Sequence, residues 1–215
     1  MTLRPFALER YFARHEFSAS YLLGSSDPEA MDVGELLALE PGAEEGLLRT
    51  WLGYTESPGN PGLREEIARL YAGIQADQVL VFSGAEEPIF AFVHALLEPG
   101  DHLIVHFPSY QSHHAIAEAR GIRISRWCGN PARGWAPDLD ELERLLRPET
   151  KALLVCTPHN PTGYLFDETT WRGLAAFARK HGLILLADEV YRGTEHAPAR
   201  RLPAMADLYE HGVSL

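Results

Sequence analysis

Lysine is nearly absent from this chain: among 215 residues only Lys151 and Lys180 are lysines, so arginine carries most of the positive charge. Lysine and arginine together number 19 against 30 acids, a formal net charge of −11. That balance excludes non-specific nucleic-acid binding through a broad basic face. Cysteine is scarce as well. Cys128 and Cys156 stand alone, without metal-ligand spacing and too few for a disulfide framework, so a reducing cytoplasm is the expected compartment. No apolar run approaches the roughly 18 residues needed to span a bilayer. The opening Met1-Thr2-Leu3-Arg4-Pro5 does not read as a secretory leader. Two phosphate signatures are missing: no Gly-x-Gly-x-x-Gly follows a strand, and no Gly-x4-Gly-Lys-Ser/Thr occurs, which weakens a dinucleotide-binding reading. His106, His113 and His114 do not form a His-Glu-x-x-His pattern. They read as surface or helix histidines, and no metal is expected.

What is present is ordinary in bulk and specific in detail. Hydrophobic content of 46% and charged content of 23% suit a globular protein with a sizeable core. Leu183-Ile184-Leu185-Leu186-Ala187 is a continuous apolar run, as expected of a strand buried on both faces in a parallel sheet. Asp188-Glu189-Val190-Tyr191 follows it. Ligands of open α/β sheets bind at the carboxyl ends of strands, so Asp188 stands where it could hold a positive charge, with the Tyr191 phenol nearby. Ala152 to Cys156 forms a second such run. After it, Thr157-Pro158-His159-Asn160-Pro161-Thr162-Gly163 is a fixed turn that holds Asn160 at another strand end.

Further strands are expected over Gln78–Phe82, His102–His106 and Ile122–Cys128, with one more beginning at Val213-Ser214-Leu215. Helices are expected between them. Pro88 suits a first turn ahead of a buried stripe of Ile89, Phe92, Val93, Leu96 and Leu97. Ser83-Gly84-Ala85-Glu86 joins a strand to that helix, and free backbone N–H groups at such a junction form an anion site. Phe107-Pro108-Ser109-Tyr110 opens another helix, with Tyr110 placed to lie on a planar ring. Asp138 with Glu141 reads as a capping box, and Asp167 caps a helix that stops at His181-Gly182. Leu63, Ile67, Leu70 and Tyr71 recur at helical spacing after the turn-rich Gly53–Gly62. The N-terminal 50 residues read as short helices and loops. Strands alternating with helices make a doubly wound α/β sheet.

Asn160-Pro161-Thr162-Gly163 followed by a strand ending in Asp188-Glu189-Val190-Tyr191 closely resembles the class I/II aminotransferases, pyridoxal-phosphate enzymes of fold type I. Tyr54-x4-Gly59-x3-Leu63-Arg64 is similar to another segment of that family. The resemblance implies a three-layer α/β fold with a mostly parallel sheet: residues 1–52 as an arm and active-site loop, residues 53–215 as an incomplete cofactor-binding domain. It implies pyridoxal 5′-phosphate as cofactor and an amino acid and a 2-oxo acid as substrates. Asp188 would sit beside the pyridine nitrogen, with Asn160 and Tyr191 at the ring's phenolic oxygen and Tyr110 on the ring face. The backbone of Gly84, Ala85 and Glu86 would hold the phosphate, although Glu86 replaces a small hydroxyl residue often found there. Tyr54 would reach the phosphate of the partner in a homodimer, with no role for nucleic acid or membrane. The catalytic Schiff-base lysine is expected beyond Leu215, after a Ser-x-Ser-Lys type segment, so the chain reads as the front part of a longer enzyme. Ser83–Glu87 and Pro108–Ser112 are also similar to a branch that performs a capreomycidine synthase-like cyclisation. The remaining alternative is a non-catalytic ligand-binding domain of the same fold.

Overall fold

A computed structural model describes residues 3–215, which divide into two compact units, Pro5–Ser57 and Pro58–Leu215, the latter joined by Leu3 and Arg4. The first unit carries three short helices, α1 (Ala7–His15), α2 (Val33–Leu37) and α3 (Ala43–Leu48). Asp32 and Glu35 close a capping box at the start of α2: Glu35 N donates to Asp32 at 2.8 Å and Asp32 N to Glu35 at 2.9 Å. These helices have no buried residue, and Phe17, Leu23, Trp51, Leu52 and Tyr54 are strongly exposed.

The second unit begins with α4 (Pro61–Ala68), where Asn60 caps Leu63 N. Then follow α5 (Glu86–Leu96), β1 (His102–Phe107), α6 (Ser112–Ala119), β2 (Arg123–Cys128) and α7 (Leu139–Leu145). The chain continues through β3 (Thr150–Cys156), α8 (Glu168–His181), β4 (Ile184–Asp188), α9 (Met205–Leu208) and β5 (Gly212–Ser214). The strands form one parallel sheet in the order β2-β1-β3-β4-β5. Order and sequence diverge between β2 and β3, where successive crossovers go in opposite directions. That divergence opens a crevice beside the carboxyl ends of β1 and β3.

Strand alternation sorts the core into two layers. Leu103, Val105, Ala152, Leu154 and Leu186 face one way, against Ile89, Phe92 and Val93 of α5 and Ile116 of α6. Ile104, Leu153, Val155, Leu185 and Ala187 face the other way, against Leu142, Trp171, Leu174 and Ala178. Each buried Leu or Ile contributes about 1.5–3 kcal/mol, so the central strands are held from both faces. This is the expected α/β/α arrangement. Asp167 caps α8 through Thr170 N at 2.8 Å, and Gly182 ends it at φ 63°, a conformation that glycine adopts without Cβ strain.

Several local expectations differ from the structure. Residues 79–82 are not a strand: Val81 N donates to Pro58 O at 2.8 Å, but no ladder forms beside them among the described residues. A strand exists only by pairing, so β propensity alone did not make one. Leu96 is 46% exposed because α5 ends there and the extended Leu97 takes the core position instead. Leu63 and Leu70 are exposed, and α4 buries no residue within the described chain. Asp138 caps Asp140 N at 3.0 Å, one residue short of Glu141, so an Asx turn replaces the capping box. The helix after Pro108 starts at Ser112, since β1 runs on through Phe107.

Candidate active site

The carboxyl ends of β1, β3 and β4 each deliver side chains to the crevice. Asp188 is the last residue of β4 and is buried. Its neighbours on the ladder are strictly spaced: Cys156 pairs with Asp188, and Thr157 N donates to Asp188 O at 2.9 Å. The turn after β4 brings Val190 N to Asp188 Oδ1 at 3.2 Å. The turn after β3 carries Asn160, whose Nδ2 donates to the Tyr191 hydroxyl at 3.3 Å. Residues 31 positions apart in sequence thus meet as one polar pair. This turn is closed by Gly163 N on His159 O at 2.7 Å and by His159 N on Tyr164 O at 2.9 Å.

One residue that sequence reasoning passed over belongs to this group. His113, in the first turn of α6, donates from Nε2 to Asp188 Oδ2 at 2.8 Å, and its ring is 1% exposed. His113 is a helix histidine as expected, but a buried one engaged with Asp188, whereas His106 is neither on the surface nor in a helix: it lies buried in β1. The parallel sheet places the loop after β1 over the end of β4, and α6 then turns its first residues inward. No single-sequence signal pairs residues 75 positions apart. Tyr110 stands edge-on to His113, with ring centroids 6.2 Å apart at 64°.

Behind the crevice, His106 and His159 stack at 4.1 Å and 29°. Burial pushes the His159 imidazole down to about 4; burial and the nearby His159 lower His106 to about 2. Both rings are neutral at ordinary pH. His159 Nδ1 meets Thr162 Oγ1 at 2.6 Å, which steadies the turn that holds Asn160. Cys156 is no nucleophile: burial first, then Asp188, raises its thiol to about 12.

At the junction into α5, Gly84 adopts φ +79° with open space at its Cβ position. Ala85 precedes the first helical residue, Glu86. Ser112 Oγ donates to Glu86 Oε1 at 3.0 Å, and Ser83 N to Glu87 Oε2 at 2.7 Å. Glu86 is thus engaged by α6. Tyr54 belongs to the Pro5–Ser57 unit, with its side chain fully exposed. The two lysines are elsewhere: Lys151 is exposed on β3, and Lys180 Nζ pairs with Glu143 at 2.6 Å.

A model of the aminotransferase class I and II family matches residues 22–213. The chain belongs to that family. An arginine–pyruvate transaminase of Pseudomonas aeruginosa is 32% identical over 195 residues, covering 86% of this chain and 49% of the relative. An aspartate aminotransferase of Thermotoga maritima is 35% identical over 160 residues, covering 71% and 42%. The crystal structure of a PLP-dependent aminotransferase from Streptococcus suis superposes on the whole chain with a TM-score of 0.90 at 32% identity, and 57% of that protein is covered. This chain spans about half the length of the curated family members it matches. The matched range takes in β1 to β4 and reaches into β5, and it includes Tyr110, Asn160, Asp188 and Tyr191. No helix among the described residues is long and apolar enough to cross a membrane.

Proposed function

We propose that this chain contributes the cofactor-facing half of a pyridoxal-phosphate-dependent aminotransferase acting on an amino acid and a 2-oxo acid. The observation that carries the reading is the buried carboxylate of Asp188 at a strand end, braced by His113 and flanked by the Asn160–Tyr191 pair. The donor set suits the cofactor. A protonated pyridine nitrogen needs a buried anion, which Asp188 supplies. A phenolic oxygen needs donors, and Asn160 Nδ2 and the Tyr191 hydroxyl already converge. A planar ring needs an aromatic neighbour, and Tyr110 is half-buried beside His113. A phosphate needs backbone N–H groups, which the turn at Gly84, Ala85 and Glu86 presents at a helix N-terminus.

When bound, pyridoxal phosphate supplies an electron sink, while the protein positions and tunes it. Asp188 keeps the proton on the pyridine nitrogen through opposite charge in a water-poor site. His113 fixes the Asp188 carboxylate by occupying Oδ2. Asn160 and Tyr191 would hold the ring through its phenolic oxygen, and Tyr110 would pack against it. The positions of Lys151 and Lys180, and the greater length of the relatives, support a reading in which the lysine that carries the cofactor is not among these residues.

Finer assignments follow from the same reading. Residues 1–52 act as an arm and residues 53–215 as the cofactor domain, a division supported by the separate compactness of Pro5–Ser57. The protein works as a cytoplasmic homodimer in biosynthesis, with Tyr54 meeting the partner's phosphate. The exposure of Tyr54, Trp51 and Leu52 supports a partner for that arm. Titrating the chain with pyridoxamine 5′-phosphate, followed by tryptophan fluorescence, tests the binding reading: saturable quenching that Asp188→Ala weakens is expected. Amino transfer from L-amino acids to 2-oxo acids by the natural protein tests the activity. Mixing Tyr54→Phe subunits with Asp188→Ala subunits tests the shared site, because mixed dimers would recover one intact site. Activity no greater than the sum of the parents would remove Tyr54 from it.

A further inference from the structure

A small cavity lies between the turn that carries Asn160 and the turn that carries Tyr191. It is half-open to solvent and has room for about one water molecule, and its polar walls are Thr157, Glu189, Arg192 and Glu195. Trp171 and Leu202 supply apolar walls. Three observations show that the polar walls are incompletely matched to one another. Thr157 is 4% exposed, and its Oγ1 has no hydrogen-bond partner on the protein. Leaving a buried hydroxyl unsatisfied costs about 1–3 kcal/mol, so such groups are normally met by ordered water. Glu189 is also buried, and its Oε1 is fully used by Met205 N and Ser214 Oγ, each at 2.8 Å. Its Oε2 lies 3.7 Å from Arg192 Nε, too far for a direct bond, and the same Nε reaches Leu202 O only at 3.5 Å. A polar pair at that separation is the geometry a bridging water spans.

Charge selects the occupant. Glu189 faces Arg192, and Glu195 pairs with Arg201 at 3.3 Å. Two carboxylates are balanced by two guanidiniums, so the cavity has no excess charge to draw a cation or an anion. It holds donors and acceptors of both kinds within apolar walls, which suits a neutral molecule that both donates and accepts.

We propose that this cavity is a built site for one ordered water, bound by Thr157 Oγ1, Glu189 Oε2 and the Arg192 guanidinium, which ties the Asn160 turn to the Tyr191 turn. The water accepts from Arg192, donates to Glu189, and exchanges its remaining bond with Thr157. These turns are already joined by Thr157 N on Asp188 O at 2.9 Å and by Asn160 Nδ2 on the Tyr191 hydroxyl at 3.3 Å; the water adds a third link, through Thr157 and Glu189. Glu189 thereby anchors β4 to α9 and β5 through Oε1 and to the Asn160 turn through Oε2.

The test combines a crystal structure of the protein at a resolution that shows ordered water with hydrogen–deuterium exchange of Thr157→Val and Thr157→Ser. A single water peak about 2.6–3.2 Å from Thr157 Oγ1 and from Glu189 or Arg192 is expected. Thr157→Val should lose the peak and speed amide exchange in the turns at 157–163 and 189–192 by about tenfold, a loosening of about 1.4 kcal/mol. Thr157→Ser should retain both the peak and the slow exchange. A dry cavity, a peak with the short multiple contacts of a metal ion, or Thr157→Val exchange equal to that of the unaltered chain would each overturn the proposal. The density in the unaltered protein decides the matter even if the valine variant fails to fold.

Discussion

His113 Nε2 stands 2.8 Å from Asp188 Oδ2, and both side chains are buried. A buried carboxylate that loses its donor keeps the full desolvation cost, about 1–3 kcal/mol or more for a charge. His113→Phe should therefore lower stability by about that amount in denaturant titration. It should also weaken pyridoxamine 5′-phosphate binding about tenfold, because Asp188 would be free to rotate. His113→Gln, which restores an N–H donor, should recover part of both. A His113→Phe chain as stable and as tight-binding as the original would separate His113 from the site.

Asn160 and Tyr191 are coupled through a 3.3 Å hydrogen bond. Asn160→Ala, Tyr191→Phe and the double variant form a cycle in the dissociation constant of pyridoxamine 5′-phosphate. A coupling energy of about 0.5–1.5 kcal/mol is expected. Strict additivity would show that the two side chains act on different ligand atoms or on none.

Asp188→Ala should leave the far-ultraviolet circular dichroism almost unchanged, since the residue caps a strand at the crevice and does not fill the core. Amino transfer by the natural protein should fall about a thousandfold or more, as one electrostatic partner at a developing charge is worth that much. A variant within a few-fold of the original would remove Asp188 from the pyridine nitrogen.

Three buried histidines set an acid limit on the fold. His102 and His159 are lowered to about 4 and His106 to about 2, in each case chiefly by burial. In the unfolded chain each takes up a proton near pH 6.5, so below that pH the unfolded state binds more protons. Their contribution is fully present above about pH 6.5 and is lost as pH falls, toward 4 for His102 and His159 and on toward 2 for His106, by up to about 1.4 kcal/mol per pH unit for each. Denaturant midpoints measured from pH 7.5 to 4.5 should fall accordingly. His106→Phe, which keeps the ring stack on His159, should flatten the slope.

Lys151 and Lys180 are exposed, and Lys180 holds a surface pair with Glu143. Exposed pairs of this kind contribute about 0–1 kcal/mol. Replacing both lysines by arginine should leave amino transfer within about twofold, as for other surface changes. Loss of activity would instead make one of them the cofactor-bearing residue.

Much of the scaffold was written locally. The apolar runs at 152–156 and 183–187 had to be buried, because five adjacent apolar side chains leave no solvent face for either side of a strand. Asp167, Gly182 and the proline-rich turn around Asn160 end or begin elements by their own backbone chemistry, and they do so where the residues predicted. The same locality placed Asp188, Tyr191, Asn160 and Tyr110 at strand ends, where a ligand site belongs. Properties that depend on a distant partner were not legible. Residues 79–82 have strand composition but no ladder, and Leu96 has the right spacing but lies where α5 stops. His113 looked like one of several helix histidines until the parallel order β1-β3-β4 set α6 above the end of β4. Sequence alone determined which residues could do chemistry and which strands must be buried, because propensity, turn geometry and burial demand are short-range. Tertiary structure alone decided which of those groups touch, because a 2.8 Å contact between residues 75 positions apart exists only once the sheet has fixed its strand order.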